Sequence, residues 1–132
     1  MSVQVGDVAE REFAVTDELI EAFGDASGDR NPVHFDEAYA ATTRFGGRIA
    51  HGMLTAAFIS SLLGNDLPGQ GTIYLRQDIR FLAPVRPGDC VRCRVEVIDH
   101  DPRRRRAVLR TQAWVGKTAV VDGEATVLVP ED

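Results

Sequence analysis

A chain of 132 residues, 44% apolar and 27% charged, has the size and composition of one soluble globular domain and is too short for two. Its 20 acidic and 15 basic side chains leave a net charge of −5, which argues against nucleic acid or an anionic membrane as partner. Residues 1–10 lack the basic start and apolar run of a signal peptide, and the longest apolar segment, Met53 to Gly64, is too short to span a bilayer. A cytoplasmic protein is the expectation.

In chain order, Glu12 to Val15 reads as a short strand entered through the Gly6, Asp7 turn. Thr16 has the chemistry of an N-cap, and Asp17 and Glu18 suit the first turn of a helix. Leu19, Ile20 and Phe23 give that helix one apolar stripe. A short loop bearing Gly, Asn and Pro follows within the stretch Phe23 to Asp36, and a second short helix starts near Asp36, runs through Ala41 and breaks at Gly46 and Gly47.

His51 to Gly64 is the strongest helical pattern, apolar nearly all round, as in a buried helix, with Gly64 and Asn65 as its stop. Everything after it reads as strands. Thr72 to Phe81 alternates, with Ile73, Leu75, Ile79 and Phe81 on one face and Tyr74, Arg76, Asp78 and Arg80 on the other. Cys90 to Asp99 places Val91, Cys93, Val95 and Val97 on one face. Ala107 to Val115 and Thr118 to Val129 are two further strands joined by a Gly116, Lys117 turn.

Cys90 and Cys93 form a C-x-x-C pair, but residues three apart on a strand point to opposite faces. No second cysteine pair completes a zinc site, so two separate reduced thiols are expected. One buried helix followed by an antiparallel meander must wrap sheet around helix, because nothing else in the chain can cover that helix. This predicts an α+β protein with a single hot-dog domain over residues 1–132. Its free sheet edges favour edge pairing into a homodimer.

The chemistry points to the loop. Asp29 and His34 place a carboxylate and an imidazole over one small volume, as proton transfer to and from a bound water requires. The spacing alone is equally that of an Asp closing a turn and a satisfied loop histidine. Its surroundings say more. Ser27, Gly28, Asp29, then Asn31, Pro32, Val33, His34, then Asp36, with Phe23 upstream, resemble the signature of the MaoC-like, (R)-specific enoyl-CoA hydratases. Gly47, Ile49 and the run His51, Gly52, Met53, Leu54 resemble the start of that family's central helix. Gly71 to Tyr74, Phe81, Pro84, Val85 and Pro87 to Asp89 extend the likeness through the second half.

The resemblance implies Asp29 and His34 as the catalytic pair and the N–H of Gly52 as donor to the thioester oxygen. Physical chemistry supports the latter, since a helix N-terminus offers free N–H groups to a developing oxyanion. It implies a trans-2-enoyl-CoA substrate, hydrated reversibly to the (R)-3-hydroxyacyl-CoA, with no cofactor beyond the coenzyme A of the substrate. His51 either contributes to that oxyanion site or simply starts the helix. Ser60 either lies near the site, as the resemblance implies, or bonds back to the preceding helical turn. Asn31 and Pro32 shape the loop, and Asn31 can hydrogen-bond Asp29.

Other readings are open to the same residues. Asp25, Asp29, His34 and Asp36 are acidic and imidazole groups around one loop, but their spacing matches no standard metal-ligand set, and no metal is expected. Arg103, Arg104, Arg105 and Arg106 form a turn that is either solvated edge protection or a contact for coenzyme A phosphates. A hot-dog thioesterase is the nearest rival activity, but it commonly carries an acidic residue on the central helix, and His51 to Gly64 has none. A non-catalytic acyl-CoA-binding subunit is the third reading, and it predicts erosion of a pair that here is intact.

Overall fold

The structure is a computed structural model and describes residues 3–131. The one-domain expectation of 1–132 runs past these at both ends, and the ends lie outside the described residues. The elements are β1 (Val8–Ala14), α1 (Asp17–Ser27), α2 (Pro32–Phe35), α3 (Glu37–Ala41), α4 (Gly52–Asn65), β2 (Ile73–Phe81), β3 (Cys90–Asp101), β4 (Arg106–Val115) and β5 (Thr118–Leu128). The strands form one antiparallel sheet in the order β1-β3-β4-β5-β2, whose concave face receives α4. This is the hot-dog arrangement predicted from the helix and meander.

The alternation in the central strands does what period two requires. Val91, Cys93, Val95 and Val97 of β3, Leu109 and Ala113 of β4, and Ala125 and Val127 of β5 are all buried and face the helix. From α4 they meet Leu54, Phe58, Ile59, Leu62 and Leu63. Phe58 also stacks on Phe13 of β1, with ring centroids 4.4 Å apart. Each fully buried Leu or Ile here contributes roughly 1.5–3 kcal/mol through removal from water. Cys93 sits in this core, where burial pushes its thiol up to about 12, while Cys90 is exposed. The pair therefore lies on opposite faces, as the strand geometry predicts.

Four local expectations change. β1 begins earlier than predicted, pairing Val8 with Glu96 through Ala14 with Cys90, because an edge strand carrying Glu10, Arg11 and Glu12 hides its length behind polar residues. Gly64 does not stop α4; the helix runs on to Asn65 and ends at Asp66 in a right-handed conformation.

α4 is buried on one side only. Gly52, Met53 and Ala57 are exposed and Ser60 is half-buried, since no described segment of this chain crosses that face. In β2, Tyr74 lies opposite Val127 and Arg76 opposite Thr126, so Leu75 is an extra, bulged residue. Gln77, Ile79 and Phe81 keep one face, as the alternation predicts, and the bulge brings Tyr74 onto that face in place of Leu75 and Ile73. Gln77 Nε2 then donates to the fully buried Thr111 Oγ1 at 3.0 Å, satisfying a hydroxyl that would otherwise be stranded in the core.

Among the described residues no helix is long and apolar enough to cross a membrane.

Candidate active site

The site is assembled where α1, α2 and the N-terminus of α4 meet. Thr16 Oγ1 accepts from Leu19 N at 3.1 Å and starts α1. Gly24 lets α2 pack directly on that helix: a Cβ there would lie 2.6 Å from the Phe35 ring. Ser27 ends α1 by donating its Oγ to Phe23 O at 2.7 Å and accepting from Asp29 N at 3.1 Å. Gly28, at φ 77°, turns the chain through a left-handed conformation that favours glycine. Asp29 is thereby presented on a short exposed link between the two helices.

His34 is not on a loop, as the sequence reading had it, but on the single turn of α2. Asn31 caps that turn by accepting Val33 N at 3.2 Å, and Pro32 occupies its first position, where a missing N–H costs nothing. Asn31 does bond Asp29, but through its backbone N–H, which donates to Oδ1 at 3.1 Å. The His34 Nδ1–H donates to the carbonyl of Ile49 at 2.8 Å. A carbonyl can only accept, so this bond fixes the neutral tautomer and leaves Nε2 as a free lone pair. Burial pulls the His34 pKa below its ordinary value; the neighbouring His51 ring also lowers it, while the Ile49 bond and the Asp29 charge oppose this. Together these favour the neutral ring.

The segment carrying Ile49 is itself tied down. Arg48 Nε donates to His34 O at 2.8 Å, and Ala50 N bonds Val85 O at 2.7 Å. Arg86 donates to the carbonyls of Phe45 at 2.6 Å and Gly47 at 3.1 Å. None of Ile49, Arg48 and Arg86 was predicted to act here, because bonds to backbone carbonyls leave no signature in side-chain type.

Ligating atoms of Asp29, His34 and His51 all lie within 4.8 Å of one another. That span is less than two hydrogen bonds of about 2.8 Å end to end, so a single water can reach both carboxylate and imidazole. It is poorly arranged for a cation. The His34 and His51 rings stack with centroids 3.9 Å apart and planes 29° apart, so their in-plane lone pairs run side by side and do not converge. The other acids named by the sequence go elsewhere, with Asp25 paired to Arg30 and Asp36 Oδ1 capping α3 at Tyr39 N.

α4 differs from the other helices at its start. Thr16, Asn31 and Asp36 each cap their helix with a side-chain oxygen, whereas His51 makes no such bond at α4. The first-turn N–H groups, Gly52 among them, are left without a cap. A Cβ at Gly52 would meet the Phe81 ring at 2.7 Å. On this side opens a largely apolar cavity of about 360 Å³ lined by Ile49, Gly52, Met53, Phe81, Val85 and Val121. Asp29 and His34 are not part of its lining, which adjoins them through Ile49, whose carbonyl orients His34, and through Gly52, next in the chain to His51.

Ser60 stands apart from this group. It lies about 12 Å further along α4 than Gly52, at 1.5 Å per residue, on the open side of the helix. The serine that bonds back to the preceding turn is Ser61, to Phe58 O at 2.7 Å. The arginine turn is at the far end of the sheet, where Arg106 pairs with Leu128, and Arg103 N and Arg104 N bond Asp101 Oδ1.

This fold has known counterparts. The model of the MaoC-like domain family matches residues 4–119. The chain belongs to the MaoC-like domain family. Among its relatives, the 3-hydroxybutyryl-CoA dehydratase of Methylorubrum extorquens is 46% identical over 131 residues, covering 99% of this chain and 82% of that protein. The (R)-specific enoyl-CoA hydratase of Rhodospirillum rubrum is 44% identical over 128 residues, 97% of this chain and 89% of that one. The solved structure of the (R)-hydratase from A. caviae involved in PHA biosynthesis superposes with a TM-score of 0.93 at 42% identity, covering 98% of each chain.

Proposed function

We propose that this MaoC-like protein is an (R)-specific enoyl-CoA hydratase, adding water reversibly to a trans-2-enoyl-CoA to give the (R)-3-hydroxyacyl-CoA. One observation carries the reading: a carboxylate and an imidazole whose Nε2 is free lie within reach of a single shared water, beside a helix N-terminus without a side-chain cap. In the forward direction His34 Nε2 takes a proton from the water held between it and Asp29, and the oxygen bonds to the β-carbon. Electrons shift to the thioester carbonyl, whose oxygen is stabilised by the Gly52 N–H. A proton returned from the pair to the α-carbon completes the addition, and no redox step or cofactor is needed. The (R) configuration is taken from the relatives of that activity.

The cavity beside Gly52 fits the thioester end of the substrate by position and by its apolar lining. We include a homodimer in the reading. The β2 edge strand leaves Ile73, Tyr74, Leu75 and Phe81 exposed, Leu82 after it is exposed too, and no described segment covers the open side of α4.

The test is incubation with crotonyl-CoA and longer trans-2-enoyl-CoA thioesters, following loss of the conjugated thioester absorbance and the configuration of the product. Hydration to the (R)-3-hydroxy product is expected. Unchanged absorbance across the series, or release of free thiol, would overturn the reading in favour of an acyl-binding subunit or a thioesterase.

A further inference from the structure

We infer that His51 is a positioning residue, held as its Nε2–H tautomer, that locks the Asp29 backbone to the start of α4 and backs the His34 ring without touching substrate. The inference rests on the hydratase reading for its kinetic test and on geometry alone for its structural one.

His51 is 2% exposed, so it has no surface to offer a substrate. Its Nε2 lies 3.0 Å from the carbonyl oxygen of Asp29. That oxygen can only accept, so Nε2 carries the proton and Nδ1 is bare. Nδ1 is buried and has no hydrogen-bond partner. The tautomer is therefore set by one bond, with no competing acceptor drawing the proton to the other nitrogen.

The ring is boxed as well as bonded. One face stacks on His34 at 3.9 Å, and the rings of Phe23 and Phe35 stand edge-on at 5.0 Å and 5.5 Å. Through this box a single side chain reaches three parts of the site. It fixes the residue that carries the carboxylate, limits the tilt of the imidazole, and precedes Gly52 in the chain. Its place at the N-cap has a further consequence. Ser, Thr, Asp or Asn there would fold its oxygen onto the first-turn N–H groups, as Thr16, Asn31 and Asp36 do. His51 turns its Nε2–H to Asp29 O, and its bare Nδ1 accepts from none of the first-turn N–H groups, so the side chain leaves them uncapped.

Two variants separate donor from ring. His51→Phe keeps an aromatic ring against His34 but loses the Nε2–H, whereas His51→Gln places an amide N–H near the lost donor and gives up the stack. With an enoyl-CoA substrate, His51→Phe is expected to lower kcat about 100-fold with KM within about threefold, as for a misplaced reacting group. His51→Gln is expected to retain activity within about tenfold of the wild type. A His51→Phe enzyme with wild-type kcat, or a His51→Gln enzyme as impaired as His51→Phe, would overturn the inference. Ring nitrogen resonances of the wild-type protein test it without any variant, should one fail to fold. The neutral His51 ring is expected to show a protonated Nε2 and a bare Nδ1, and a protonated Nδ1 would overturn it. A wild-type protein inert to every enoyl-CoA would remove the hydratase reading, while the resonances would still decide the His51–Asp29 bond.

Discussion

The imidazole of His34 is fixed by the carbonyl oxygen of Ile49, 2.8 Å from its Nδ1, and this bond decides which nitrogen is left with its lone pair free. The acceptor comes from a segment fifteen residues downstream that Arg48 and Arg86 hold in place. The proposed base is thus positioned jointly by α2 and by the strap leading into α4. Replacing His34 by Gln keeps a polar group of similar reach but removes the base. We predict a loss in kcat of about a thousandfold, in the range for removal of a positioned general base. Thermal melting of the variant should stay near that of the wild type, since α2 is a single turn.

The lowered pKa of His34 makes a pH prediction. The acid limb of kcat/KM in the free enzyme should fall below the ordinary histidine value of about 6.5. Stability follows the same group. Between the folded and unfolded pKa values the unfolded ring binds more protons, so this contribution is complete above about pH 6.5 and is lost as pH falls through that value toward the folded pKa. Denaturant midpoints measured from pH 7 to pH 5 should decline more steeply in the wild type than in His34→Gln.

Gly52 permits a test of the oxyanion donor that spares the helix. His51 has φ −61° and ψ 131°, the conformation a residue before proline adopts, and the first helical position accepts proline. Gly52→Pro removes the N–H, while Gly52→Ala adds a Cβ against Phe81 and keeps it. We predict that Gly52→Pro loses about 100-fold or more in kcat relative to Gly52→Ala, the scale of one oxyanion-hole donor. Equal kcat in the two variants would show that the donor lies elsewhere.

Leu62 is fully buried between α4 and the sheet. Leu62→Ala leaves a cavity under a helix clamped at both ends and should cost about 2–5 kcal/mol, read from the denaturant midpoint.

Much of this molecule is legible in its sequence because burial leaves a period. The alternation of Val91, Cys93, Val95 and Val97 and the apolar run after Gly52 predict the central strands and the helix they enclose. Asp29 and His34 are legible as a pair only with their neighbours, since Gly28, Asn31 and Pro32 are the residues that turn and cap the chain there. What escapes the sequence falls into two kinds. Some features are shorter than any period, such as the single turn of α2 and the bulge at Leu75 that reverses Tyr74. Others use backbone acceptors, such as Ile49 O for His34 and Asp29 O for His51, which any residue type could supply. Ser60 shows the converse: a residue on the right helix, but about 12 Å along it from Gly52.

The central claim is that Asp29 and His34 act as one unit on one water, and a double-mutant cycle tests it most directly. kcat would be measured on an enoyl-CoA substrate for Asp29→Asn, His34→Gln and the double variant. Groups acting as a unit are strongly non-additive, so the double variant should be no more than about tenfold slower than the worse single one. If the two losses multiplied in full, the residues would be acting independently and the account would be wrong.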